Sequence, residues 1–164
     1  MPGDPVQTRL LDRSVPMSSA YHTTRIIEFA DTDMAGIVHF ARFFVFMEAA
    51  EHEFLRSLGL SVHLEHEGDI ISWPRLGASC EYLSPIRFEE ELDIRLRIAR
   101  KGTKSLTYAF DFSRGEVAVA RGELKVVCCV CNPGEKMRAL PIPDFIADRL
   151  EAAFQAFASK GDRP

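Results

Sequence analysis

The chain has 164 residues, enough for one domain and for a core that needs no disulfide or metal staple. With 46% hydrophobic and 27% charged residues it is neither collagen-like nor wholly disordered, and no apolar run approaches the ~20 residues of a membrane span. A formal charge of -4, from 20 basic and 24 acidic residues, argues against general nucleic-acid binding and leaves room only for a local basic patch facing a small phosphorylated ligand.

Residues 1–19 hold three prolines among Ser, Gly and Asp, without periodicity or a secretory h-region, and read as a flexible leader. Residues 20–160 read as a single domain. Tyr21 to Phe29 is a strand pattern, and Asp31-Thr32-Asp33-Met34-Ala35-Gly36 is a turn. From His39 to Leu58, Phe40, Phe43, Phe44, Met47, Phe54, Leu55 and Leu58 recur at helical spacing, while Val45 and Phe46 carry apolar character to other faces. That predicts a buried helix, closed by Gly59.

Four strand patterns follow: Ile70 to Tyr82, interrupted by Pro74; Leu92 to Ile98; Leu106 to Phe112; and Glu116 to Cys131. Short turns at Lys101-Gly102 and Arg114-Gly115 make antiparallel hairpins. Asp144 then caps an amphipathic helix with Ile146, Leu150, Ala153, Phe154 and Phe157 on one face. The expected architecture is α+β, an antiparallel sheet wrapped around one long buried helix. One small sheet cannot cover such a helix, so a second subunit is expected, with sheets joined edge to edge and the site at the interface. The four cysteines, Cys80, Cys128, Cys129 and Cys131, have no zinc spacing and read as reduced, buried small hydrophobes of a cytoplasmic protein. No metal is expected.

The chemistry-bearing stretch is Glu28-Phe29-Ala30-Asp31-Thr32-Asp33-Met34-Ala35-Gly36-Ile37-Val38-His39-Phe40. Two carboxylates precede a helix start, where free N–H groups and the helix dipole favour an oxyanion. Such a carboxylate can act as nucleophile or as general base on water; equally, both aspartates can simply cap the turn and helix.

This stretch resembles the signature of the 4-hydroxybenzoyl-CoA thioesterase branch of the hotdog superfamily: an Asp-x-Asp pair, Ala-Gly, then Ile-Val leading into an aromatic-rich helix. The opening from Arg25 also resembles 1,4-dihydroxy-2-naphthoyl-CoA thioesterases. The resemblance spans roughly 21–145, taking in Lys104-Ser105 and the closing Gly134 to Pro141. It implies hydrolysis of an acyl-CoA, aromatic slightly favoured, with coenzyme A as part of the substrate and no other cofactor, in a homodimer or homotetramer. By resemblance Asp33 is catalytic, the Phe40 backbone N–H holds the thioester oxygen, Gly36 allows close approach, and Asp31 orients the loop. His39 lies one place before the histidine of some relatives. Glu48 falls where the hydroxybenzoyl enzymes place an acid toward the aryl hydroxyl, with a structural ion pair the alternative. Trp73 and Pro74 fall at the acyl pocket wall, with Trp73 as core filler the alternative, and Arg100, Lys101 and Lys104 fall where relatives grip coenzyme A phosphates, with a solvated turn the alternative. Glu51, in the middle of the apolar stripe, must be paired or protonated, and a partner across a subunit interface is expected. A non-hydrolytic acyl-CoA binder is the alternative of another class, and a dehydratase using His39 with Glu48 a weaker one.

Overall fold

The computed structural model describes residues 20–160, without the side chains of Phe154 and 156–160; the leader at 1–19 and the packing of Phe154 and Phe157 lie outside the described residues. The strands are β1 (Tyr21–Ile26), β2 (His63–His66), β3 (Asp69–Ser72), β4 (Arg75–Tyr82), β5 (Glu91–Lys101), β6 (Ser105–Arg114), β7 (Val117–Val127), β8 (Cys129–Val130) and β9 (Arg138–Ala139). The helices are α1 (Arg42–Ser57) and α2 (Asp144–Lys160). Neither is long and apolar enough to cross a membrane.

Period-two alternation builds the main sheet. Leu92, Ile94 and Leu96 of β5, and Leu106, Tyr108, Phe110 and Phe112 of β6, are all buried, while Asp93, Arg95 and Arg97 point the other way. The strands order β1-β5-β6-β7-β4, antiparallel throughout, and α1 packs on the inner face against β7, β4 and β5. Its inward residues are Phe43, Phe46, Met47, Ala50, Glu51, Phe54 and Leu55. Gly122 in the middle of β7 makes this closeness possible: a Cβ there would collide with the Met47 sulfur. Past the helix, Gly59 takes φ +68°, and Arg149 of α2 donates to the Leu58 and Gly59 carbonyls.

Four expectations need correction. The pattern from Ile70 to Tyr82 is two strands, because Pro74 has no N–H for a ladder. The pattern from Glu116 to Cys131 also divides, at Cys128, whose N–H turns to the Lys104 carbonyl at 2.7 Å. Both breaks occur at one corner, where Ser72 pairs with Cys129 and Arg75 with Val126, so two neighbouring strands leave the main sheet together. They enter a second antiparallel sheet, β2-β3-β8-β9, whose outer strands of four and two residues are too short to show a period.

The helix begins at Arg42, not His39. Val38 and His39 are held extended by bonds to Ile86 O and Asp31 O, both 2.9 Å, so helical winding starts only after them. Phe40 therefore lies in a turn with 60% exposure instead of on the helix's buried face. Finally, α1 does not rely on the main sheet alone: Ile71 of β3, Ile146 and Leu150 of α2, and the connecting residues Trp73, Cys128 and Ile142 join the same core within the protomer.

Candidate active site

The loop between β1 and α1 is braced from within. A 3-10 turn at Phe29–Asp31 buries Asp31, and its Oδ2 accepts the Glu28 N–H at 3.0 Å. Its Oδ1 accepts the Arg42 Nε–H at 2.7 Å, and its carbonyl accepts the His39 N–H. The chain then reverses at Asp33-Met34-Ala35-Gly36, where Gly36 N–H donates to Asp33 O at 2.9 Å and Asp33 N–H donates to Ile37 O at 3.0 Å. Gly36 sits at φ +72°, a conformation that favours glycine.

Asp33 is exposed. Its Oδ1 accepts the Ala35 N–H at 2.8 Å, an Asx turn that aims the carboxylate; no bond among the described residues engages Oδ2. The Phe40 N–H has no acceptor among the described residues, while the Phe40 carbonyl accepts the Tyr82 hydroxyl at 3.1 Å. Asp33 and Phe40 line one cavity of about 440 Å³, with Ile37, Val38, Phe43, Tyr82, Leu83, Ser84, Pro85 and Ile86. An apolar cleft with one carboxylate and a spare backbone donor can take an apolar acyl group and act on an electrophilic carbonyl.

The other candidates lie elsewhere. His39 is outside that lining; its Nδ1 accepts the Ala41 N–H at 3.2 Å, which puts the ring proton on Nε2, and its ring lies tilted against Phe40. Glu48, Trp73 and Pro74 line a second cavity of about 410 Å³ with His52, Val62, Ser72, Arg75 and Cys131. His39 lines neither the Asp33 cavity nor the Glu48 cavity. Arg100, Lys101 and Lys104 are exposed on the β5–β6 hairpin and line neither cavity.

Glu51 is fully buried and meets Arg75 of its own chain, Nη2 to Oε2 at 2.5 Å; the partner expected across an interface is intramolecular. Among the described residues neither Glu51 oxygen has a donor in good hydrogen-bond alignment, so the pairing is one of charge. Arg75 also reaches the exposed Glu48 at 3.5 Å; burial works to lower the guanidinium's pKa, but the two glutamates outweigh it and hold it above its ordinary range. All four cysteines are free; burial pushes the Cys128 thiol up to about 11, which makes it inert. No cluster of three or more metal-ligating side chains occurs among the described residues.

Sequence reasoning missed Arg42, Tyr82 and Arg87. Arg87 donates to the Gly36 carbonyl at 3.3 Å, closing the loop from the far side. Only the fold brings these residues to the loop; nothing in their local sequence marks them.

Residues 27–150 match the family profile described as the thioesterase-like superfamily. The 1,4-dihydroxy-2-naphthoyl-CoA hydrolase of Nostoc punctiforme is 27% identical over 82% of this chain and 88% of its own. The 4-hydroxybenzoyl-CoA thioesterase of Pseudomonas sp. strain CBS-3 is 27% identical over 76% of this chain and 91% of its own. A crystal structure of a hypothetical protein from Thermus thermophilus superposes with a TM-score of 0.71 at 30% identity, covering 80% of this chain and 98% of that one.

Proposed function

The chain belongs to the thioesterase-like superfamily, with its hotdog fold, and is a thioester hydrolase; from that premise we propose that it cleaves an aromatic acyl-CoA to the free acid and coenzyme A, using Asp33 and no further cofactor. The observation that carries this reading is the meeting of the Asp33 carboxylate and the unclaimed Phe40 amide in one apolar cavity. The Phe40 N–H donates to the thioester oxygen as negative charge grows on it. Asp33 Oδ2 either attacks the carbonyl, expelling coenzyme A thiolate and leaving an anhydride for water to open, or takes a proton from the water that attacks. Two relatives named for aryl-CoA substrates and the aromatic lining, Phe40, Phe43 and Tyr82, favour an aromatic acyl group.

A dimer through β4 reconciles the two cavities. β4 ends the main sheet, so one of its edges is unpaired among the described residues, with Val45, Leu76 and Tyr82 exposed beside it. Tyr82 lines the Asp33 cavity and Arg75 the Glu48 cavity, seven steps or about 23 Å apart along the strand. Antiparallel pairing of two β4 edges about a two-fold axis brings Tyr82 of one protomer beside Arg75 of the other. Each Asp33 then faces the Trp73 wall and Glu48 carboxylate of the other copy, where Glu48 can accept from an aryl hydroxyl.

Release of free thiol from a panel of aryl, short aliphatic and medium-chain acyl-CoAs tests the function. Hydrolysis of aryl esters with kcat/KM at least about tenfold above acetyl-CoA is expected, a ratio one well-filled apolar pocket can supply. Tight binding without thiol release would identify a carrier instead, and loss of water from a hydroxyacyl-CoA a dehydratase.

A further inference from the structure

We infer that Arg42 is a positioning residue for this hydrolysis, locking the two ends of the catalytic loop together so that Asp33 and the Phe40 amide keep their spacing. The inference rests on the roles given above to those two groups. Asp31 and Arg42 bracket the loop, and both Asp33 and Phe40 lie between them. Arg42 is the first residue of α1, and its guanidinium grips one Asp31 oxygen through Nε at 2.7 Å and Nη2 at 2.5 Å. The other Asp31 oxygen is taken by Glu28 N–H.

The guanidinium is itself fixed. It lies over the Phe46 ring at 5.8 Å, a ring only 1% exposed that also receives Arg25 at 5.7 Å. Asp31 is 4% exposed, and Arg42 is its only ion-pair partner among the described residues, so without it the carboxylate is buried and unpaired there. The protein can relieve that only by protonating it or by letting the loop lift toward water, and lifting it pulls Asp33 away from the Phe40 amide. Lysine cannot substitute: it offers a point charge where the site uses two guanidinium nitrogens on one oxygen, with the group lying over a ring.

The signature is a loss of kcat that exceeds any change in KM, because the walls from Tyr82 to Ile86 belong to a separate segment that meets the loop through the Tyr82–Phe40 and Val38–Ile86 hydrogen bonds. Arg42→Lys should lose about 10-fold in kcat and Arg42→Ala about 10²-fold, a range typical of misplacement without loss of the catalytic group. Three readouts separate positioning from folding. Loop amides at 33–41 should exchange at least about tenfold faster in Arg42→Ala while those of β5 and β6 do not change. Millimolar guanidinium should restore part of the activity of Arg42→Ala where equal sodium chloride does not, since the Arg42 side chain is 38% exposed and its site can be reached. Asp31→Asn combined with Arg42→Met should cost no more than Asp31→Asn alone, because the two act as one unit.

Retention of kcat within twofold in both Arg42 variants overturns the inference. So does additivity of the Asp31 and Arg42 losses, or a KM increase carrying the whole defect. Wild-type protein that releases no thiol from any ester overturns the hydrolase reading itself and this role with it, and is told apart because the unsubstituted chain fails.

Discussion

Glu51 and Arg75 form an ion pair at the helix–sheet interface, the carboxylate fully buried and the guanidinium reaching it from the first residue of β4 at 2.5 Å. The Arg75 side chain is 31% exposed, so one end of the pair is wet while the other is dry. Breaking it should be costly and replacing it cheap. Arg75→Met strands a buried charge and should destabilise by about 3–5 kcal/mol. The double variant Glu51→Leu/Arg75→Met should recover most of that. Urea unfolding of the two checks it; a single variant within 1 kcal/mol of wild type, taken as roughly the worth of an exposed pair, would show the burial to be unimportant.

Asp33→Asn should fold normally and lose about 10²–10⁴-fold in kcat, the range for a positioned acid, base or nucleophile. Asp31→Asn should also slow turnover, through loop geometry, and by less. A greater loss at Asp31 would exchange their roles.

Lys104→Ala should raise KM for an acyl-CoA and leave kcat nearly unchanged, because an exposed cation on the hairpin contributes uniform binding to the phosphates. The effect should shrink in high salt, where the Debye length falls below about 8 Å. For a truncated thioester lacking the nucleotide it should vanish; equal slowing of that ester would exclude phosphate contact.

Mixing two impaired variants tests the β4 dimer. Asp33→Asn and Trp73→Ala each damage a different half of every site, so reassociated mixtures should regain about a quarter of wild-type activity by random pairing of protomers. No regain in demonstrated mixed dimers means that each site lies within one chain.

Tyr108 is buried with no hydrogen-bond partner for its hydroxyl among the described residues. Burial, reinforced by Glu51 and opposed by Arg75, pushes that hydroxyl far above its ordinary range. The folded state therefore holds the proton more tightly than the unfolded chain. The stability this represents is intact below about pH 10, the unfolded value, and is lost as pH rises above it. Tyr108→Phe should leave neutral-pH stability unchanged or raise it by about 1 kcal/mol, and should flatten the alkaline decline. A loss of 2 kcal/mol or so at pH 7 would instead mean the hydroxyl is satisfied in solution.

The strands from Leu92 to Phe112 were legible because alternation is a property of neighbours: Asp93, Arg95 and Arg97 can face only water when Leu92, Ile94 and Leu96 face the core. The Asp33 loop was legible for the same reason, since turn-forming residues and a helix start are local chemistry. By itself, then, the sequence determined the α+β class, the buried helix and the loop that carries the carboxylate. The partner of Glu51, the grip of Arg42 on Asp31 and the separation of Trp73 from Asp33 within a protomer were decided only in three dimensions. A charge pairs with whichever group the register brings near, and register depends on strands remote in sequence, here at the corner where Pro74 and Cys128 turn out of the main sheet together.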